Sequence, residues 1–165
     1  MKHYRDILAK QEKSWAAKMK KLGMQCQQLP FGKDTAVLYI AKPHWTNRFD
    51  PKRESTIGIF CSIWVTEKLI TQGKLSYNIH SKQIRKLPGY KFTSIVFADE
   101  FRQRVNPIVA DWPGISLKHG PGTLLQGQDT ITLDNFESKV KKRITGFVDI
   151  HQEIDALLAL GKNLV

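Results

Sequence analysis

Six basic residues, Lys82, Arg85, Lys86, Lys91, Arg102 and Arg104, are interleaved with Tyr77, Tyr90 and Phe92. Lysine and arginine neutralise phosphates, and an exposed ring beside them gives a base a face to stack on, the division of labour at single-stranded nucleic-acid sites. This set is therefore the leading candidate for contact with nucleic acid or another polyanion. The competing interpretation is a solvated basic face with its rings turned into a core, because the aromatics also fall at strand and helix spacings. A second basic run, Lys139, Lys141, Lys142 and Arg143, falls in the first two turns of a predicted closing helix, where the helix dipole gives cations no support. Val140 and Ile144 mark the buried stripe there, so all four basic side chains are expected on exposed faces.

Two other function classes have some support. A small enzyme would draw its pocket from the 42–54 loop, which holds His44, Trp45, Asn47, Arg48, Asp50, Lys52, Arg53 and Glu54, together with the 76–80 strand and the 118–122 turn. His80 at a strand end and His119 at a tight turn would be its proton carriers near neutral pH. A protein-interaction subunit or homodimer would instead use an exposed Trp45, Phe49 or Trp112 as its anchor. No metal is expected, because His3, His44, His80, His119 and His151 include no pair spaced three to five residues apart and two cysteines are too few for a thiolate site. No cofactor is expected either. The Gly120, Pro121, Gly122 turn lacks phosphate-loop spacing, and neither a GxSxG elbow nor an acidic cluster around Asp50, Glu54 and Glu67 supports nucleophilic or metal-assisted hydrolysis.

Composition bounds these choices. The chain has 165 residues, 41% hydrophobic and 25% charged, which fits one folded domain over 1–165. Its net charge is +11, concentrated in residues 1–22 and 74–105, each with seven basic residues against two acidic ones. No apolar run reaches the roughly 18 residues of a membrane span. The charged opening residues do not resemble a signal peptide, and Cys26 and Cys61 read as free thiols. A cytoplasmic protein is the expectation.

The elements that must position these residues follow from periodicity. Tyr4, Leu8, Trp15, Met19 and Leu22 line one stripe of an N-terminal helix stopped by Gly23. Strands are predicted over 25–29 and 35–40, with a central strand over 57–65 covered on both faces and a half-buried one over 75–79. Short helices are expected over 67–71 and 81–87. A longer helix from Thr93 or Ser94 carries Phe97, Phe101 and Val105, and Pro107 is expected to end it and start a second short helix capped by Asn106. Residues 115–133 read as two or three short strands. The closing helix is expected to start in an Asp134–Glu137 capping box and run through Leu158. The predicted fold class is α+β, a mostly antiparallel sheet packed by N-terminal and C-terminal helices.

Overall fold

The computed structural model of the protein describes residues 1–47, 56–116 and 120–163. Strands β1 (Gln25–Pro30), β2 (Thr35–Ala41), β3 (Gly58–Thr66), β4 (Lys74–Lys82) and β5 (Thr123–Thr130) form one antiparallel sheet in the order β1-β2-β3-β4-β5. Helices α1 (Lys2–Lys21), α2 (Glu67–Thr71), α3 (Ser94–Val109), α4 (Phe136–Asp149) and α5 (His151–Asn163) complete the fold. It is the α+β architecture expected, with terminal helices packed on an antiparallel sheet. Among the described residues, no helix is long and apolar enough to cross a membrane.

Alternation along the strands decides what each sheet face carries. Leu38 and Ile40 of β2, Cys61 and Ile63 of β3, and Tyr77 and Ile79 of β4 are neighbours in register and fully buried. This row faces the helices: the Arg143 guanidinium of α4 lies 4.5 Å from the Tyr77 ring centroid. The opposite row carries Tyr39, Phe60, Ser62, Trp64, Asn78 and His80. Ser62 and Asn78 are buried there, so their polar atoms need partners. The Trp64 indole N–H donates to Ser62 Oγ at 2.8 Å, and the Ser62 hydroxyl donates to Asn78 Oδ1 at 2.5 Å. β3 is thus the central strand and is covered on both faces, as its continuous apolar run suggests.

The free sheet edges are partly closed. Along β1, the outward-facing N–H of Gln28 donates to the Glu12 carboxylate of α1 at 2.8 Å. Along β5, Ser116 and Gln126 exchange backbone bonds of 2.7 and 3.1 Å. Both contacts remove backbone groups that an open edge would offer to another strand.

Five local expectations fail. Pro107 does not divide the helix, since α3 runs through it to Val109. The proline stands two residues from the end, so the backbone bond it removes lies in the last turn, and burial of Val105 and Val109 holds that turn in place. The closing segment is two helices rather than one, broken at the buried Ile150. The capping box is not made: Asn135 stands at the N-cap and exchanges bonds with Thr132, while Glu137 turns toward α1. Finally, 115–133 contains one named strand and a single bridge, and the predicted 81–87 helix is a 3-10 turn over Ile84–Lys86 that follows a longer β4.

Candidate polyanion-binding surface

The connection from β4 to α3 alternates apolar and basic residues without regular secondary structure beyond the 3-10 turn. Ile84, Leu87, Tyr90 and Phe92 are buried, whereas Arg85, Lys86 and Lys91 between them are exposed. The apolar four pin the backbone to the core and turn the basic three outward. Gln83 enters the turn at φ 44°, a left-handed conformation that a non-glycine residue adopts at a cost, and it marks where the chain leaves the strand. The far end is tied to α5: the Lys91 N–H donates to the Gly161 carbonyl at 3.0 Å. Glycine is required at that contact, because a Cβ on Gly161 would lie 2.3 Å from the Tyr90 ring. The next residue, Lys162, is exposed and follows directly on that contact along α5.

The electrostatics of this ledge are unusual for a folded surface. No Asp or Glu occurs between Glu67 and Asp99 in the sequence. Among the described residues, Arg85, Lys86 and Lys91 make no ion pair. Among the described residues nothing but solvent and mobile ions balances their charges, the condition under which an incoming phosphate chain displaces counterions.

Of the six residues singled out in the sequence, Arg85, Lys86 and Lys91 lie on this one connection, and Lys82 ends the strand that leads into it. Arg102 and Arg104 do not join it as a pair. Two residues of α-helix amount to about 200° of rotation, so they leave opposite flanks of α3. Arg102 Nη2 donates to the carbonyls of Gly120 at 3.1 Å and Thr123 at 3.4 Å, which fixes that flank toward the start of β5. The expected stacking rings are also inside: Tyr77 is fully buried, Tyr90 is 5% exposed and Phe92 7%. Tyr90 meets Phe92 and Phe97 edge-on, and burial pushes its phenol above the ordinary tyrosine range. Burial likewise pushes Tyr77 up to about 12, and its hydroxyl donates to the Pro113 carbonyl at 2.6 Å. Their spacing had admitted this outcome, and the apolar surroundings enforce it. Lys162 was not legible as a member, because only the fold brings it to Lys91.

The other basic segments behave differently. α1 packs on β1, β2 and α4, whereas the 74–105 segment is built from β4, the 3-10 turn and α3, which pack on β3, β5 and α5. At the α1–α4 junction Glu137 collects Lys10 at 2.8 Å, Lys141 at 3.6 Å and the Gln11 amide at 3.1 Å. The hydrogen bond from Lys10 leads the effects that hold Glu137 below the usual carboxylate range. Arg143 corrects the expectation of an exposed run: it is 1% exposed, pairs with the equally buried Asp129 at 3.0 Å, and lies between the Tyr77 and Trp112 rings at 4.5 Å from each. Gly127 leaves the room that the Tyr77 ring occupies.

The residues of the enzyme and interaction alternatives are largely committed elsewhere. His44 Nε2 lies 2.9 Å from Asp155 Oδ1, and the same carboxylate accepts the Trp45 indole N–H at 2.7 Å and the ammonium of Lys42, whose side chain is 9% exposed. Burial alone would raise the Asp155 carboxyl, but the hydrogen bonds from Lys42 and Trp45 and the nearby charges outweigh it and hold the group low. Desolvation, with help from Lys42, lowers His151 beside it, against the pull of Asp155. The cluster clamps α5 to the segment after β2. His80 Nδ1 lies 3.2 Å from the Gly122 carbonyl, next to Thr123 Oγ1. Trp45 is fully buried and cannot serve as a surface anchor, and Trp112 is half-buried against Tyr77 and Phe147. His119, Lys118, Phe49, Arg48, Asp50, Lys52, Arg53 and Glu54 lie outside the described residues. Among the described residues, no group of three or more His, Cys, Asp or Glu is placed to hold a metal ion. No family model matches the chain, and no curated protein or solved structure is significantly similar to it.

Proposed function

We propose that the protein is a non-catalytic module that binds a polyanion, nucleic acid foremost, through the ledge of Lys82, Arg85, Lys86, Lys91 and Lys162. The observation that carries this reading is a short connection whose apolar residues are buried and whose Arg85, Lys86 and Lys91 are exposed and have no carboxylate partner among the described residues. A surface merely tuned for solubility mixes both signs; an acid-free stretch accumulates potential. The free thiols of Cys26 and Cys61 accord with the cytoplasm as the setting, where such polyanions are abundant.

The contact is mainly electrostatic and weakens steeply with salt. With about four phosphates neutralised, the slope of log affinity against log salt is roughly −3.6, a loss of about 100-fold between 50 and 200 mM. Fluorescence anisotropy of a labelled mixed-sequence oligonucleotide measures this directly. The Arg85→Glu, Lys86→Glu, Lys91→Glu triple variant is expected to lose binding while keeping its thermal midpoint, since all three side chains are exposed. Equal affinity of variant and wild type, or affinity that stays flat over the salt range, removes the proposal.

A further inference from the structure

We infer that the ledge takes double-stranded nucleic acid in preference to a single strand; this rests on the polyanion reading above and specifies its ligand. Single-strand sites combine a basic track with rings on which bases stack. Here the rings that share the connection with the cations are unavailable for that purpose. Tyr90 and Phe92 are packed edge to face at 5.7 Å and buried, and Tyr90 also meets Phe97 at 5.9 Å. Swinging either outward would remove one of the four apolar pins that hold Arg85, Lys86 and Lys91 in place. A ligand at this ledge is gripped by its charges.

Charge density then decides between ligands. A duplex presents about one negative charge per 1.7 Å of axis, twice the density of either strand taken alone at about 3.4 Å. Stiffness acts in the same direction. The ledge is fixed at Ile84, Leu87, Tyr90 and Phe92 and tied to α5 by the Lys91 to Gly161 hydrogen bond. It is poorly suited to wrap a flexible strand, which would have to be ordered on binding, whereas a duplex with a persistence length of about 150 bp arrives with its phosphates already arrayed. Without base-edge readout or stacking, affinity should also be indifferent to sequence.

The test compares a labelled 20-bp DNA duplex, a second duplex of unrelated sequence, and a 20-nucleotide dT strand, titrated with the full chain at one low salt concentration. The expected result is at least tenfold tighter binding of both duplexes than of the strand, equal affinities for the two duplexes, and weakening of all three by the Arg85→Glu, Lys86→Glu, Lys91→Glu variant. Binding of the strand as tight as, or tighter than, the duplexes overturns the duplex inference and leaves the polyanion reading standing. A marked difference between the two duplexes overturns the claim of phosphate-only recognition. No binding of any of the three overturns both the inference and the reading beneath it.

Discussion

The ledge between β4 and α3 and the junction between α1 and α4 are both rich in lysine and arginine, yet they handle those charges in opposite ways. At the junction, Glu137 gathers Lys10 and Lys141, and nearly two turns further along α4 Arg143 turns inward to meet Asp129. On the ledge, Arg85, Lys86 and Lys91 stay outside with no acidic partner among the described residues. A count of basic residues does not separate these cases. What separates them is whether the fold delivers a carboxylate, which at the junction comes from the facing helix or strand and which, among the described residues, does not reach Arg85, Lys86 or Lys91.

The largest effect should come from the buried member of the junction. Arg143→Met leaves the Asp129 carboxylate dry and unpaired, and losing one partner of a buried pair costs about 3–5 kcal/mol. Urea denaturation should register that loss, and adding Asp129→Leu should recover much of it; a loss below about 1 kcal/mol would mean that solvent reaches the pair. Gly161→Ala should come next and carries an informative sign. In an ordinary helix position alanine gains about 1 kcal/mol over glycine. Here the added methyl meets the Tyr90 ring, and overpacking should turn the gain into a loss of about 1–3 kcal/mol, with weaker polyanion binding because Lys91 and Lys162 are displaced together. Stabilisation by that substitution would show that the ledge is not pinned as described. The smallest effect is Glu137→Gln at the half-buried end of the junction. It should leave the unfolding midpoint close to wild type and raise non-specific oligonucleotide affinity about twofold, by freeing Lys10 and Lys141 of their counter-charge. Unchanged affinity would mean that pairing there does not limit access to the two lysines.

Much of the architecture was legible because period-2 and helical stripes are strong signals. Ile57 to Val65 announced a central strand, and Phe97, Phe101 and Val105 announced α3. The misses came where tertiary packing overrode a local rule. Pro107 stayed inside a helix because Val109 was needed in the core, and Glu137 left its capping box for Lys10 and Gln11 on a facing helix. The site was half legible. Lys82, Arg85, Lys86 and Lys91 could be grouped from sequence because they are close along the chain, but the separation of Arg102 from Arg104 needed the orientation of α3. Arg143 could not be placed from its neighbours: the charge pattern put it outside, and only the partner on β5 with the rings of Tyr77 and Trp112 explains why it is inside. Lys162 is far from the ledge in sequence and reaches it through the Tyr90 to Gly161 contact.

Amide chemical shifts followed during titration with a 20-bp DNA duplex, residue by residue, address the ledge directly. Perturbations concentrated on residues 82–91 and on Lys162, with residues 10–21 of α1 little changed, are the predicted result. Shifts centred on α1 and α4, or spread evenly over every exposed lysine, would contradict it, because unpaired charge on a pinned backbone would then have no special hold on phosphate.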